Sequence, residues 1–467
     1  MLGYLKAESK TTAGWVIGAA GLGWFLASTY WVSHSMLIAT PFLWFLTPFL
    51  SIGLGVVLAA FWFGAGFISW SFGGKPASRI LWFIAIFCLA EWSRGFVATG
   101  FPWNLPGSIF AVNPTILQAA SVLGVYGLNV ITVLCAAAPA LWLQKSRYLA
   151  VLFLALPLLL AGGGYMRLDI APSLDVMTAN APLARLVQPA VPQQDKWDKD
   201  KRQLHLDDLV GLSGQQQMGQ NQQVANLVIW PETAIAALAS HEPTLLPILT
   251  RKSIISEGYL ITGMPRFGDN RQLLNSAMLL GHDGNIRAIY DKRHLVPFGE
   301  FIPFRRFLPF LEPLVGPIDF SPGQTNQLIN VVGFGRVQML ICYEVIFSGK
   351  IIARDNRPDL IINLTNDAWF GTSIGPWQHL YQAQMRAVEE GLPVLRAANT
   401  GISAGFDGYG RMLGMLGLGK KGALDLLVPP ALSPTFYARF GDLFFLGLVF
   451  LIIATAVWVD LNRRIRQ

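Results

Sequence analysis

One cysteine, Cys342, stands apart in the polar half of the chain. It follows the apolar run 337–341 and precedes Glu344 by two positions. A thiolate is a strong nucleophile, and a nearby ammonium group favours its formation. The other cysteines, Cys88 and Cys135, lie in apolar stretches typical of small core residues. Cys342 alone would most simply be a buried structural thiol, so the rest of the sequence has to decide between the two interpretations.

Two other segments place ionisable residues in the same kind of position. Glu232 comes after the predicted strand 226–230, and Lys292 and Glu300 lie in a loop that follows Tyr290. Reactive groups of an α/β sheet are exposed where its strands end. One such residue would be an ordinary surface charge. Three such positions, one of them carrying the only thiol of the region, indicate a shared site.

Composition predicts that this site is attached to a membrane. The chain has 467 residues, of which 53% are hydrophobic and 13% charged. Six apolar segments are long enough to cross a bilayer. They lie at about 13–33, 44–70, 79–99, 117–143, 148–166 and 442–461. The third contains Glu91 and Arg94, spaced to pair on one helix face. The net charge of +7 is spread along the chain without a basic patch, so no nucleic-acid partner is expected.

Basic residues in the loops predict the orientation of these segments. They occur before the first segment, between the second and third, between the fourth and fifth, and after the sixth: Lys6, Lys10, Lys75, Arg79, Lys145, Arg147, Arg463, Arg464 and Arg466. Such residues collect on the cytoplasmic side. Both termini are therefore expected in the cytoplasm, and the polar block 167–441 outside it.

The domain organisation follows from the same segregation. We expect a transmembrane bundle over 1–166, a catalytic domain over 167–441, and a last transmembrane helix with a basic cytoplasmic tail over 442–467. The polar block alternates strands with helical patterns, as in an α/β domain. The predicted strands are 184–191, 226–230, 259–263, 275–281, 337–342, 360–364, 394–398 and 402–406, and the predicted helices are 243–256 and 377–391.

The order Glu232, Lys292, Cys342 resembles the Glu-Lys-Cys triad of the nitrilase, or carbon-nitrogen hydrolase, superfamily. That resemblance implies an αββα sandwich. With the membrane segments, nearly the whole chain resembles the apolipoprotein N-acyltransferase family, which joins such a domain to a polytopic bundle. The supporting segments are 101–103, 187–197, 292–303, 366–371 and 375–379. That family typically has eight spans and six are counted here, as if the chain began at the family's third.

The residue types suggest how such a triad would act. Cys342 would be the nucleophile, Glu232 the general base, and Lys292 the cation that stabilises an oxyanion. Glu300 and Glu344, next to Tyr343, would keep Lys292 oriented and charged, unless they are solvated carboxylates. Aromatic residues are candidates for substrate binding or a lid, with packing inside the domain as the alternative: Trp103, Trp369, Phe370 and Trp377. No metal or nucleotide site is indicated, and no cofactor is expected.

The family resemblance implies the substrates and the location. A membrane phospholipid would donate an acyl chain to Cys342 as a thioester, and the α-amino group of a lipoprotein's diacylglyceryl-cysteine would accept it. The enzyme would be a multi-pass protein of the bacterial inner membrane with its catalytic domain on the periplasmic side. Two alternatives stay open. One is a membrane-tethered hydrolase of small amides or nitriles, and the other is a transporter or structural protein whose outer domain only binds.

Overall fold

A computed structural model describes residues 1–39, 41–214, 225–237, 244–254, 258–307, 318–325 and 327–464. Arg466 of the predicted basic tail lies outside them. The longer helices are α1 (Lys10–Thr29), α2 (Thr47–Ser69), α3 (Pro76–Ser93), α4 (Ala120–Leu143), α5 (Arg147–Asp169), α6 (Arg202–Gly214), α7 (Leu245–Ser253), α8 (Gly375–Glu390) and α9 (Leu443–Arg464). Shorter α-helices are Leu2–Leu5, His34–Ala39, Pro114–Leu117, Leu174–Thr178 and Phe436–Phe440.

Six of these helical segments are long and apolar enough to cross a membrane, as the sequence predicts. They are Lys10–Ser33, Trp44–Ser69, Pro76–Ser93, Ala120–Leu143, Arg147–Asp169 and Leu443–Leu461. The protein is a multi-pass membrane protein. Helices α3, α4 and α9 share one hydrophobic core, in which small residues such as Ala85 and Ala137 let the helices approach closely.

The polar block contains twelve strands in the part of the chain that the structure describes. They are β1 (Leu183–Gln188), β2 (Leu227–Ile229), β3 (Tyr259–Phe267), β4 (Leu273–Gly281), β5 (Ile286–Asp291), β6 (Ile329–Val331), β7 (Gly335–Ile341), β8 (Leu360–Thr365), β9 (Val394–Ala398), β10 (Ser403–Phe406), β11 (Met412–Leu416) and β12 (Gly422–Leu427). They form two six-stranded sheets, ordered β12-β1-β2-β3-β4-β5 and β11-β10-β9-β8-β7-β6. In each sheet three central strands run parallel, β1-β2-β3 and β7-β8-β9.

The two sheets pack face to face, with helices on both outer surfaces. Apolar residues of both sheets, such as Ile229 and Ile362, form the core between them. Helices α6 and α7 cover the first sheet, and α8 covers the second. The fold is therefore the expected αββα sandwich of the nitrilase type, joined to a helical membrane bundle. The parallel strands are buried on both faces, which explains their nearly continuous apolar sequences.

The bundle and the sandwich interlock at the start of α8. The side-chain oxygen of Gln378 accepts hydrogen bonds from the indole N–H groups of Trp31 and Trp103, each at 2.9 Å. The amide nitrogen of Gln378 donates to the carbonyl of Ser28 at the end of α1. Trp31 and Trp103 come from the bundle, yet they belong to the same core as the inner face of α8. One glutamine thus ties two segments of the bundle to the catalytic domain.

A second contact between the two regions lies at a break in α4. Gly124 has a φ of +61°, so the helix is interrupted there. The backbone N–H of Val125 donates to the Glu389 carboxylate at 2.8 Å, across 264 residues of sequence. Glu389 also accepts from the hydroxyl of Ser348. A carboxylate of the sandwich therefore caps a helix of the bundle.

The structure also differs from the sequence-based expectations. The third span ends at Ser93 and not near residue 99, because the chain turns through a 3-10 segment at Val97–Thr99. Strands β5, β6, β11 and β12 were not predicted. All four lie at the edges of their sheets, and β11 and β12 contain glycine and partly exposed residues, which weakens the strand pattern.

Candidate active site

Three strand ends bring the predicted triad together. Glu232 follows β2 and Lys292 follows β5 in the first sheet, while Cys342 follows β7 in the second. Glu232 and Lys292 are 7% and 1% exposed, and Cys342 is half-buried. The charges of Glu232 and Lys292 both act on the Cys342 thiol. Positions far apart in sequence thus meet because the two sheets face each other.

Lys292 lies between two carboxylates. Its Nζ is 3.0 Å from the Glu300 carboxylate and 3.6 Å from Oε1 of Glu232. Burial lowers the pKa of Lys292, but Glu300 and Glu232 outweigh that effect and raise it, so the lysine stays a cation. Asn275 of β4 holds both carboxylates, donating to Glu232 at 2.9 Å and to Glu300 at 2.8 Å. Sequence reasoning missed Asn275, for which the only signal is an amide at the start of a buried strand.

Glu344 makes different contacts from the expected one with Lys292. Its carboxylate accepts from the hydroxyl of Tyr290 and from the backbone N–H groups of Ile341, Arg293 and His294, rather than from Lys292. These bonds join the segment after Lys292 to the strand before Cys342. Glu344 therefore sets the relative position of the lysine and the thiol through the backbone, and its charge reaches Lys292 only over a longer distance.

The backbone at Cys342 is strained. Its φ is +50°, a left-handed conformation that residues with a Cβ rarely adopt. Such outliers persist where the surroundings hold them, and they concentrate at functional sites. Burial and the Glu232 carboxylate raise the pKa of Cys342 to about 12, while Lys292 acts in the opposite direction. This environment therefore favours the thiol over the thiolate.

A second lysine lies close to the triad. Lys196 is 6% exposed and donates from Nζ to the backbone carbonyl of Glu232 at 3.1 Å. Burial lowers its pKa to about 8, against the attraction of Glu232 and Cys342. Lys196 fixes the turn that carries Glu232, where the next residue, Thr233, has a φ of +48°. Sequence reasoning quoted this lysine only as part of a longer motif.

A buried ionic group lies on the other side of Cys342. Asp367 forms an ion pair with Arg396 at 2.5 Å, and its Oδ1 lies 2.8 Å from Nδ1 of His379. Burial alone would raise the pKa of Asp367, but Arg396 and His379 outweigh that effect and hold the pKa at about 2. Donor atoms of Cys342, Asp367 and His379 lie within 4.8 Å of one another. Because Asp367 is already paired with a guanidinium, and His379 Nε2 contacts the Cys342 carbonyl at 3.1 Å, this set does not fit a metal ion.

The predicted aromatic residues occupy two environments. Trp103 is 1% exposed and packs against Trp31, Phe370 and His379, inside the contact between bundle and sandwich. Trp377 is 38% exposed at the start of α8. Tyr343, next to Cys342, is buried and donates from its hydroxyl to the carbonyl of Gly100 at 2.8 Å. The loop 99–103 of the bundle therefore lies against the segment that carries Cys342.

The site and the fold define a class of protein. Residues 183–431 match the carbon-nitrogen hydrolase family, and residues 1–138 match the N-terminal domain of apolipoprotein N-acyltransferase. A solved amidase from Nesterenkonia sp. AN1 is 20% identical, with a TM-score of 0.38, covering 53% of this chain and 90% of the amidase. The chain is thus a membrane-bound protein with a carbon-nitrogen hydrolase domain.

Curated relatives make the assignment more specific. The apolipoprotein N-acyltransferase of Bradyrhizobium diazoefficiens is 38% identical over 454 residues, covering 92% of this chain and 81% of the relative. That of Rhodopseudomonas palustris is 36% identical over 451 residues, covering 92% and 82%. The chain belongs to the apolipoprotein N-acyltransferase family. It is an enzyme of the acyltransferase class, which favours the main interpretation of the sequence over a small-amide hydrolase or a binding protein.

Proposed function

We propose that this protein transfers an acyl chain from a membrane phospholipid to the α-amino group of a lipoprotein's diacylglyceryl-cysteine. The reaction proceeds through a thioester on Cys342. The observation that carries the proposal is a cysteine at a strained strand end, within reach of the charges of Lys292 and Glu232, in a chain of this family.

In the first step, Glu232 accepts the proton of Cys342 as the sulfur attacks the ester carbonyl of the phospholipid. The negative charge that develops on the carbonyl oxygen is stabilised by Lys292, which its two carboxylate neighbours keep protonated. The tetrahedral intermediate then collapses. The C–O bond breaks, the departing alkoxide takes the proton from Glu232, and a lysophospholipid leaves.

In the second step, the free α-amino group of the lipoprotein attacks the thioester carbonyl. Glu232 accepts a proton from the attacking nitrogen, and Lys292 again stabilises the oxyanion. The C–S bond breaks, and the thiolate of Cys342 recovers its proton from Glu232. The high pKa of Cys342 makes the resting thiol the stable form, so the enzyme returns to its starting state with an amide as product.

The arrangement in the membrane is part of the same proposal. Residues 1–166 and 442–467 form the membrane-embedded part with both termini in the cytoplasm, and residues 167–441 form the catalytic domain on the periplasmic side. The support is the position of the basic loops and the six helices long enough to span a bilayer. Outer-leaflet phospholipid and exported lipoprotein are then on the same side as Cys342.

Mass spectrometry of the purified, full-length protein tests the chemistry. Incubation with phospholipid should add one acyl group to the peptide containing Cys342 and release lysophospholipid. Subsequent addition of a diacylated lipopeptide should remove that group and yield the N-acylated peptide. Release of free fatty acid without an N-acylated product would mean that water is the acceptor, and the protein would be a hydrolase.

Single cysteines introduced at exposed loop positions test the arrangement in intact cells. Asp200→Cys and His282→Cys lie in the catalytic domain, and Ser71→Cys and Lys145→Cys lie in loops between spans. A membrane-impermeant thiol reagent should label the first pair directly and the second pair only after the inner membrane is permeabilised. The reverse pattern would place the thiol in the cytoplasm and contradict the proposed location.

A further inference from the structure

The strained backbone at Cys342 is held from the second sheet and α8. Two side chains contact its carbonyl oxygen, His379 through Nε2 at 3.1 Å and Asn363 through Nδ2 at 3.4 Å. A carbonyl oxygen only accepts, so the ring of His379 carries a proton on Nε2 and donates it. Since the left-handed conformation is unfavourable for a residue with a Cβ, these two donors oppose its relaxation.

The orientation of the His379 ring is itself fixed. The residue is completely buried, and its Nδ1 lies 2.8 Å from Oδ1 of Asp367 and 3.2 Å from Nη2 of Arg396. Arg396 also donates to the side-chain oxygen of Asn363 at 2.7 Å. Both contacts to the Cys342 carbonyl are therefore set by one guanidinium. Burial lowers the pKa of His379, with Arg396 acting in the same direction and Asp367 against it.

The bundle covers the other face of this ring. Trp103 packs on His379 with ring centroids 5.3 Å apart, and its indole N–H donates to the neighbouring Gln378. Gln378 is the residue that also holds Trp31. A loop of the membrane bundle thus packs against the ring that contacts the Cys342 carbonyl and restricts its position.

We propose that His379 is a positioning residue for the nucleophile: its Nε2–H holds the Cys342 carbonyl and thereby keeps the sulfur facing Glu232 and Lys292. This inference rests on the proposed role of Cys342 in acyl transfer. It gives the bundle a part in the chemistry, because the packing of Trp103 determines the position of the ring.

Two substitutions separate this role from a general packing role. In His379→Gln the terminal amide nitrogen takes the place of Nε2, so the donor to Cys342 is kept and the contact with Asp367 is lost. In His379→Asn the side chain reaches only to the place of Nδ1, so the contact with Asp367 is kept and the donor to Cys342 is lost. Both remove the ring and its packing against Trp103, which makes them a matched pair.

Two rates should be measured on each full-length variant in phospholipid-containing micelles. One is formation of the acyl thioester in a single turnover, and the other is alkylation of the Cys342 peptide by iodoacetamide. We expect His379→Gln to keep both rates within about threefold, because the main hydrogen bond survives. We expect His379→Asn to lower both by about 10- to 100-fold, because the buried carbonyl loses its donor. Equal rates in the two variants, or a larger loss in His379→Gln, would overturn the proposal.

The two readouts distinguish this inference from the proposed function. If the unmodified protein forms no thioester with phospholipid, the proposed function fails. The difference in alkylation rate between His379→Gln and His379→Asn still tests whether His379 positions Cys342. If thioester formation is normal and both variants resemble the unmodified protein in both rates, the positioning role fails and the acyltransferase chemistry stands. Thermal unfolding of both variants, measured alongside, shows whether either has lost its fold.

Discussion

Two groups of buried charges, one in each region of the molecule, have opposite characters. The bundle pair is Glu91 with Arg94, at 0% and 1% exposure. The site cluster is Lys292 with Glu232 and Glu300, with Lys292 at 1% exposure. Charges this deeply buried are costly unless they are paired and hydrogen-bonded. The two groups differ in how completely their charges are balanced and their polar atoms hydrogen-bonded.

Every polar atom of the bundle pair has a partner. Arg94 donates to both carboxylate oxygens of Glu91, at 3.1 and 2.6 Å, and to the backbone carbonyls of Phe101 and Trp103. Glu91 accepts a further bond from the indole of Trp62 at 2.8 Å. The charges balance one to one. Such a pair fixes the loop that follows α3 and leaves nothing available for chemistry.

The site cluster is incomplete by the same measure. Lys292 pairs with two carboxylates, Lys196 contacts only the backbone of Glu232, and the oxygen of Asn275 has no hydrogen-bond partner among the described residues. Under the proposed mechanism, the neighbouring Cys342 passes its proton to Glu232. The fully hydrogen-bonded bundle pair then has a structural role, and the incompletely paired site cluster has the reactive one.

Removal of the nucleophile should have the largest effect on activity. Cys342→Ala should lower acyl transfer by at least about 10⁴-fold, the scale reached when a triad nucleophile is removed. No acylated peptide should then be detected by mass spectrometry. Cys135→Ala, a half-buried thiol in the bundle, is the matched control and should stay close to the unmodified rate. Near-normal turnover of Cys342→Ala would disprove the triad assignment.

Glu232→Gln removes both the proposed base and its negative charge, and two measurements distinguish these two effects. Loss of the base should slow formation of the acyl-enzyme by about 10²- to 10⁴-fold. The same change should increase alkylation of Cys342 by iodoacetamide at about pH 8, because the Glu232 carboxylate raises the thiol's pKa and its removal lowers that pKa.

The pH dependence of the alkylation rate shows in which direction the substitution shifts the pKa of Cys342. In the unmodified protein the thiolate forms only as the pH rises toward about 12. In Glu232→Gln the rise in alkylation rate should shift to lower pH. A profile in which alkylation and acylation fall together would mean that Glu232 acts by holding the structure, and the contrast with the bundle pair would disappear.

Changes in the bundle pair should have the smallest effect on the chemical step. Glu91→Gln leaves Arg94 buried without a counter-charge and should destabilise the protein by about 3–5 kcal/mol. Trp62→Phe removes a single hydrogen bond to Glu91 and should cost about 1–2 kcal/mol. Unfolding in detergent micelles measures both. Acyl-enzyme formation per folded molecule should change little, and a loss as large as in Glu232→Gln would give the pair a catalytic role.

The sequence predicts the elements that are buried on both sides. The strands β7, β8 and β9 are mostly apolar, and the six spans are long apolar segments, so each carries its own signal. The edge strands β11 and β12 were missed because their half-exposed residues mix with glycine and, in β12, with Asp425. They form strands because they pair with neighbouring strands, and this pairing leaves no signal in the local sequence.

The residues of the candidate site also fall into those that the sequence could indicate and those that it could not. Glu232, Lys292 and Cys342 could be predicted because each follows a strand and has a reactive side chain. Asn275 and His379 lie inside a strand and a helix, where their patterns resemble those of ordinary core residues. Glu344 was expected to orient Lys292. It instead faces the backbone N–H of Ile341, because the chain turns into a 3-10 helix at Cys342. Contacts of this kind depend on tertiary structure.

The cap that Glu389 places on α4 has a consequence for the order of events during synthesis. Val125 leaves the ribosome 264 residues before its partner. At roughly 5–20 residues per second, this interval is on the order of 10–50 s. During that time the break at Gly124 has an N–H without its final acceptor. This span can therefore reach its finished geometry only after the sandwich has folded against it, so the bundle is completed last although most of it is made first.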